Sequence, residues 1–370
     1  MNIGIDARMI DATGIGRYTR NLIENLEKID KDNSYFIFLK KDDYEKINFG
    51  NQNFIKVLAD FHWYGLSEQV KFPKLIKKNK IDLMHFPHFN VPIFYNGKFV
   101  VTIHDLTLHK HKTVKASTKG ALVYQFKHFL YKIIFRSAIK KAKYIFTLSE
   151  FTKDDVLNNF RVDKNKFFVT LAGAPEKKDD LYLDINIKTK FKIKDKFILY
   201  VGNAYPHKNL GIFINIAKKL NNDISIVLAG KKDYFYNTLE KEINNNNLQN
   251  KIIITDYVND KELSWLYKNA QVFVFPSFNE GFGLPLLEAA SFGAPIATSN
   301  AASLPEVIGD AALYFDPKSS EQALEKINKI INNKDLRRNL VVRGYDRIKM
   351  FSWRKMAEQT LDIYNKTLKQ

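Results

Sequence analysis

The chain has 370 residues, room for two cores of ordinary size, and with 45% apolar and 26% charged side chains it has the composition of a folded globular protein, not of a disordered or fibrous one. It holds no cysteine, which excludes disulfide frameworks, thiolate zinc sites and cysteine nucleophiles and makes the cytoplasm the expected compartment. The formal charge of +18, from 58 basic and 40 acidic residues, calls for an anionic partner; nucleic acid, acidic lipid headgroups and nucleotide diphosphates all meet that description.

Short apolar runs alternate with longer stretches of helical period, the pattern of parallel α/β architecture. The first run, Asn2 to Asp6, reads as a strand entering a fold with no basic leader before it, and no later stretch reaches the ~18 apolar residues of a membrane span. A loop with Gly14 and Gly16 follows it. Next come strands at Tyr35 to Leu39 and Phe99 to Ile103, the latter ending in His104 and Asp105.

From Lys110 to Lys143 the cations Lys112, Lys115, Lys119, Lys127, Lys132, Arg136, Lys140 and Lys141 interleave with Tyr124, Phe126, Phe129, Tyr131 and Phe135, without one acid. This reads as a helix in peripheral contact with an anionic membrane, each cation contributing about 1 kcal/mol near the leaflet. Almost equally, it reads as an amphipathic helix that turns its aromatics into its own domain. Tyr144 to Leu148 then runs into Ser149-Glu-Phe-Thr152, expected to be a helix cap, and Phe167 to Leu171 ends the first half.

The polar stretch Ala174 to Lys194 is the expected linker, dividing a domain at residues 1–178 from a second at 179–350. The second half repeats the strand pattern at Phe197 to Val201, Ser225 to Ala229, Ile252 to Thr255, Val272 to Phe275, Pro295 to Thr298 and Ala312 to Phe315. At the end, Trp353, Met356, Ala357, Leu361, Ile363 and Tyr364 share one helical face, so residues 351–370 should pack back on the first domain.

In open parallel sheets, ligands sit beyond the carboxyl ends of the strands. After the strand at 272–275 comes Pro-Ser-Phe-Asn-Glu-Gly-Phe-Gly-Leu-Pro-Leu-Leu-Glu-Ala-Ala-Ser-Phe-Gly, residues 276–293. Pro285 suits the first turn of a helix and Gly293 its end, and the loop Glu280 to Gly283, loosened by glycine, would aim backbone N–H groups at a phosphate. Glu280 and Glu288 would repel that phosphate unless they face hydroxyl donors, so they read as hydroxyl readers. After the strand at 197–201, Gly202-Asn-Ala-Tyr-Pro-His-Lys208 supplies a fixed positive charge where a leaving group develops negative charge.

Together, Glu280-Gly-Phe-Gly-Leu-Pro-Leu-Leu-Glu288 and Gly202-Asn-Ala-Tyr-Pro-His-Lys208 resemble the two donor-site signatures of glycosyltransferase family 4, in order and in spacing. The resemblance continues through Ser303-Leu-Pro-Glu-Val-Ile-Gly-Asp-Ala-Ala312 and Asp316-Pro317. It implies the α/β GT-B fold, two Rossmann-like doubly wound domains facing across a cleft, and a retaining glycosyltransferase that needs neither metal nor cofactor. By the same resemblance Glu280 contacts the transferred sugar, Glu288 the ribose and Lys208 the diphosphate, with Gly202, Gly281, Phe282, Gly283 and Leu284 around the donor. In the first half, Gly14-Ile-Gly-Arg-Tyr18 resembles the family's glycine loop, which brings Gly14 and Gly16 into the donor set. Val101-Thr-Ile-His-Asp105 resembles the strand that ends in a catalytic histidine, here His104.

The family usually carries Arg-Lys where this chain has His207-Lys208. The His-Lys-Asn form is similar to a mannosyltransferase subset, which points to GDP-mannose while leaving UDP-sugars open. A retaining reaction with no placed nucleophile implies front-face substitution, the departing phosphate acting as base. The implied partners are a nucleotide-sugar donor and a glycan or lipid-linked acceptor in cell-surface polysaccharide or O-antigen synthesis. A basic nucleic-acid binder is the rival reading, but no helix-turn-helix, zinc finger or ribonucleoprotein motif accompanies the charge.

Overall fold

The computed structural model describes residues 1–110, 121–175 and 187–369, except for the side chains at 110, 121–124, 126 and 127. Lys112, Lys115 and Lys119, and residues 176–186 of the expected linker, lie outside the described residues. The chain forms two compact units, one of Met1–Gly173 with Ser352–Gln370 and one of Ala174–Phe351.

In the first unit the strands are β1 (Asn2–Asp6), β2 (Ser34–Leu39), β3 (Phe54–Leu58), β4 (Leu83–Phe86), β5 (Phe99–Ile103), β6 (Tyr144–Thr147) and β7 (Phe167–Val169). They form a sheet ordered β3-β2-β1-β4-β5-β6-β7, parallel at every pairing. β3 and β4 were not among the strands expected from sequence. Every residue of β4, β5 and β6 is buried, as a sheet covered on both faces requires. Chain order reverses between β1 and β4, so the loops leaving these two neighbours diverge and open a crevice at the carboxyl edge.

The helix Trp353–Leu368 returns to this unit and lies on the helix Thr13–Ile29. Its buried positions Trp353, Met356, Ala357, Thr360, Ile363, Tyr364 and Thr367 recur at helical spacing, and Ser352 caps its start by accepting from the Lys355 N–H at 3.3 Å. Tyr364 reaches through the core to His85 of β4, hydroxyl to Nδ1 at 2.5 Å, and His85 Nε2 meets the Thr102 hydroxyl of β5 at 2.8 Å. The Tyr18 hydroxyl extends the chain to Thr102 at 3.2 Å. A buried imidazole with both nitrogens partnered avoids the penalty of an unmet polar group.

The basic aromatic segment is the helix Ala121–Lys141 over its described part. Tyr131, Ile134 and Phe135 are buried in the core, while Phe129 is 59% and Ile133 39% exposed. Aromatics therefore point both inward and outward. No described helix is long and apolar enough to cross a membrane.

In the second unit β8 (Lys196–Val201), β9 (Ile224–Ala229), β10 (Ile252–Asp256), β11 (Val272–Phe275), β12 (Ile296–Ser299) and β13 (Ala312–Phe315) form a parallel sheet ordered β10-β9-β8-β11-β12-β13. β9 and β11 are buried along their whole length. Here too chain order reverses between two neighbours, β8 and β11.

Candidate functional site

The loops leaving β8 and β11 carry both motifs singled out in the second half, and the reversal of strand order puts them side by side. The β8 loop leaves through Gly202, whose N–H donates to the Ala229 carbonyl at 3.0 Å and whose carbonyl accepts from the Tyr236 hydroxyl at 2.8 Å. It then makes one 3-10 turn, Pro206–Lys208, and Asn209 ends that turn in the left-handed region at φ 61°. Asn209 tolerates that backbone and uses its amide as a clamp, donating to the Pro276 carbonyl at 3.1 Å and the Pro317 carbonyl at 2.7 Å. The Phe278 N–H donates to the His207 carbonyl at 2.8 Å, which fixes the β11 loop against the β8 loop.

Lys208 and Glu280 meet at this seam. Lys208 Nζ donates to both carboxylate oxygens of Glu280, at 2.6 and 2.8 Å, and the Ser277 hydroxyl adds a third bond to Oε1 at 2.6 Å. Their side chains are only 15% and 11% exposed, so water screens the pair weakly. The Lys208 cation also stands 5.7 Å from the centre of the Phe275 ring.

The loop Glu280 to Gly283 is not loose, as its glycines suggested. Gly281, Phe282 and Gly283 are buried, and the Ser303 hydroxyl lies 2.9 Å from the Glu280 carbonyl and 3.1 Å from the Phe282 carbonyl, which holds the loop in place. The Phe282 ring packs edge-on against Phe351, centroids 5.8 Å apart. Gly283 is needed for its backbone: at φ 97° it is the residue before the helix Leu284–Ser291, a conformation costly for any side chain. Pro285 lies in that helix's first turn. Glu288, 6% exposed, lies one turn in and accepts from the Tyr267 hydroxyl at 2.9 Å.

In the first unit Gly14 and Gly16 lie in the first turns of the helix Thr13–Ile29, and they differ in kind. A Cβ on Gly16 would sit 2.2 Å from the backbone oxygen of Ile10, whereas one on Gly14 would meet nothing within 4 Å. Gly16→Ala is therefore expected to destabilise the protein by about 2 kcal/mol, as forced overpacking does, while Gly14→Ala leaves the urea midpoint unchanged. A Gly14→Ala protein with normal stability and lost transfer would show that a ligand approaches there.

His104 follows β5. Its Nε2 bonds the Pro87 carbonyl at 2.8 Å, a contact only the N–H form can make, so in the neutral ring the lone pair is on Nδ1. Burial pushes its pKa down, and the Tyr18 ring packs edge-on against it at 5.2 Å. Ser149 caps the helix Glu150–Asn159 as expected, accepting from the Thr152 N–H at 3.1 Å.

The structure thus joins Lys208 to Glu280 and seats Glu288 on the helix that follows, with Gly202 opening the neighbouring loop. Sequence reasoning quoted Asn209, Ser277 and Ser303 inside its motifs without seeing that they hold these loops, and it missed Arg8, which comes two residues after β1 ends. The signal for Arg8 was available, since residues just past a strand at a reversal of order are those to inspect.

Two family models match the chain: one described as Glycosyltransferase Family 4 over residues 12–173, the other as Glycosyl transferases group 1 over residues 182–347. The O-antigen chain mannosyltransferase RfbU of Salmonella typhimurium is 27% identical over 368 residues, 94% of this chain and 96% of the relative. The O-antigen chain mannosyltransferase B of Escherichia coli is 27% identical over 292 residues, 76% of this chain and 74% of the relative. Among solved structures, HepE of Anabaena in complex with UDP and glucose superposes with a TM-score of 0.75 at 13% identity, over 98% of this chain and 99% of that one.

Proposed function

The chain belongs to glycosyltransferase family 4 and has the GT-B fold, and from that membership we propose that it transfers mannose from GDP-mannose, with retention, to a glycan or lipid-linked acceptor in the synthesis of a cell-surface polysaccharide. The observation that carries this reading is the Lys208–Glu280 pair, which lies at the reversal of strand order in the second sheet and joins the two family signatures. Two curated relatives with mannosyltransferase names support the choice of sugar.

In this mechanism the bond from the anomeric carbon to the diphosphate oxygen breaks while the acceptor oxygen bonds that carbon on the same face. The acceptor's proton passes to the departing phosphate. Lys208 and the N–H groups around Gly283 stabilise the leaving charge, roughly 3 to 4 kcal/mol for each well-placed donor. Glu280 accepts hydrogen bonds from hydroxyls of the sugar and Glu288 from those of the ribose, and Glu280 holds the Lys208 ammonium in place before donor arrives. Lys208 thereby supplies the cation, so neither metal nor cofactor takes part. The exposed Phe129 and Ile133, beside Lys132, Arg136 and Lys140, favour peripheral contact with the inner face of the cytoplasmic membrane, where lipid-linked acceptors lie.

The test is a thermal-shift series with GDP-mannose, UDP-glucose, UDP-N-acetylglucosamine and GDP. A ligand at 100 times its Kd stabilises the native protein by about 2.7 kcal/mol, so GDP-mannose should raise the melting temperature clearly more than either UDP-sugar. The UDP-sugar reading, favoured by the structural likeness to HepE with UDP and glucose, replaces it if UDP-glucose shifts the protein and GDP-mannose does not.

A further inference from the structure

The reversal of strand order in the first sheet has a lined pocket of its own. Asp6, Arg8 and Met9 enter it from the end of β1, Pro87, His88 and Asn90 from the end of β4, and Ile15 and Trp63 complete it. Its free volume is about 10 Å³, enough for one water-sized group.

Three polar groups lining this pocket have an atom with no hydrogen-bond partner among the described residues: Arg8 Nη1, Trp63 Nε1 and Asn90 Oδ1. The surroundings fix what each offers. Arg8 is 2% exposed, and its Nε and Nη2 donate to Asp6 at 2.7 Å each while Nη2 also pairs with Glu68 at 2.7 Å, which leaves the two Nη1 hydrogens unused. Asn90 is 4% exposed, and its Nδ2 donates to Glu68 at 2.8 Å; the carboxylate settles which end of the amide is which and leaves Oδ1 as an acceptor. The Trp63 indole can only donate.

Two donors and one acceptor make the complement of a hydroxyl, which accepts twice and donates once. A phosphate or carboxylate oxygen has no proton for Asn90 and would face Asp6 and Glu68. An ammonium has nothing to accept from Arg8. Resting on the glycosyl-transfer reading, we propose that this pocket takes one hydroxyl of a pyranose ring, with Arg8, Trp63 and Asn90 as residues that set saccharide specificity. The sugar comes either from the acceptor or from the donor's transferred ring, and the same experiment separates the two.

The full chain, labelled with ¹⁵N at its three tryptophans, gives three indole cross-peaks, and Trp63→Phe assigns one of them. That variant keeps an aromatic ring under the Lys40 ammonium, now 3.8 Å from the Trp63 ring centre, and removes only the N–H and part of the ring. The probes are the methyl glycosides of mannose, glucose, galactose and N-acetylglucosamine, then GDP-mannose and UDP-glucose, then GDP and UDP. The Trp63 peak is expected to move saturably with a sugar-bearing probe and to stay still with the bare nucleotides. Movement with methyl glycosides marks an acceptor ring; movement with nucleotide sugars alone marks the transferred ring.

Within the monodeoxy series of the tightest probe, one analogue should bind roughly tenfold more weakly, because it leaves the buried groups unmet. Trp63→Phe should weaken the parent sugar by a similar factor and that analogue hardly at all. If no sugar moves the Trp63 peak, or if Trp63→Phe and Asn90→Ala leave sugar affinity unchanged, the proposal is overturned and the pocket holds only water. Failure of the donor reading shows separately, as absence of stabilisation by any nucleotide sugar, and leaves the indole result with methyl glycosides to decide the pocket.

Discussion

Lys208→Met is expected to lower the turnover of sugar transfer by roughly 100- to 1000-fold, the loss found when one donor to a developing negative charge is removed. The structure adds a cost in stability. With Lys208 gone, Glu280 keeps the Ser277 hydroxyl but loses both bonds to the ammonium at a site 11% exposed, and a carboxylate stranded there should destabilise the protein by about 2 kcal/mol. Low activity in the single variant would then have two explanations. The double variant Lys208→Met with Glu280→Gln separates them, since it removes cation and anion together and should recover most of the stability while turnover stays down. Urea midpoints and transfer rates measured on the parent, Lys208→Met, Glu280→Gln and the double variant make this test. Recovery of turnover along with stability would reduce the pair to a structural role.

Acid is expected to weaken the first unit through His85. Burial holds this imidazole, fully inside the sheet, down at about 3, against an ordinary value near 6.5. Between those values the unfolded chain takes up a proton that the folded one refuses, so stability is complete above about pH 6.5 and falls as pH drops below it. At pH 5 the loss amounts to about 2 kcal/mol. The half-buried His88, also held down to about 3, acts in the same direction, whereas Asp43, pushed up to about 6 by burial and Asp11, acts in the opposite one. The difference between proteins isolates His85. His85→Gln should be less stable at pH 7, having lost its bonds to Thr102 and Tyr364, yet should lose about 2 kcal/mol less than the parent between pH 7 and pH 5. Equal losses in calorimetry at the two pH values would remove His85 as the source.

Legibility of the sequence followed how local the signal was. Apolar runs flanked by turns located eleven strands to within a residue or two, because burial on both faces makes such runs continuous. β4 escaped because His85 interrupts Leu83–Phe86 with a residue that reads as polar, and the partners that make it a core residue, Thr102 and Tyr364, stand 17 and 279 positions away. β3 escaped because it is an edge strand with Lys56 at its middle. Both motifs of the second half were visible as punctuation by glycine and proline. Invisible was the bond between them: sequence assigned Lys208 to a diphosphate and Glu280 to a sugar, while the fold, across 72 positions, has each as the other's partner. The clamps Asn209, Ser277 and Ser303 are small polar residues whose work depends on carbonyls supplied by other loops, and spacing alone carries no trace of that.

The helix Trp353–Leu368 has a bearing on how the protein is made. Because Tyr364 and its neighbours close a core otherwise built from Met1–Gly173, that core cannot be completed during synthesis until the ribosome has produced the whole of the intervening unit. The intervening unit can finish first, and the half begun earliest finishes last. Until then its unclosed apolar face is what a chaperone or a neighbouring nascent chain meets.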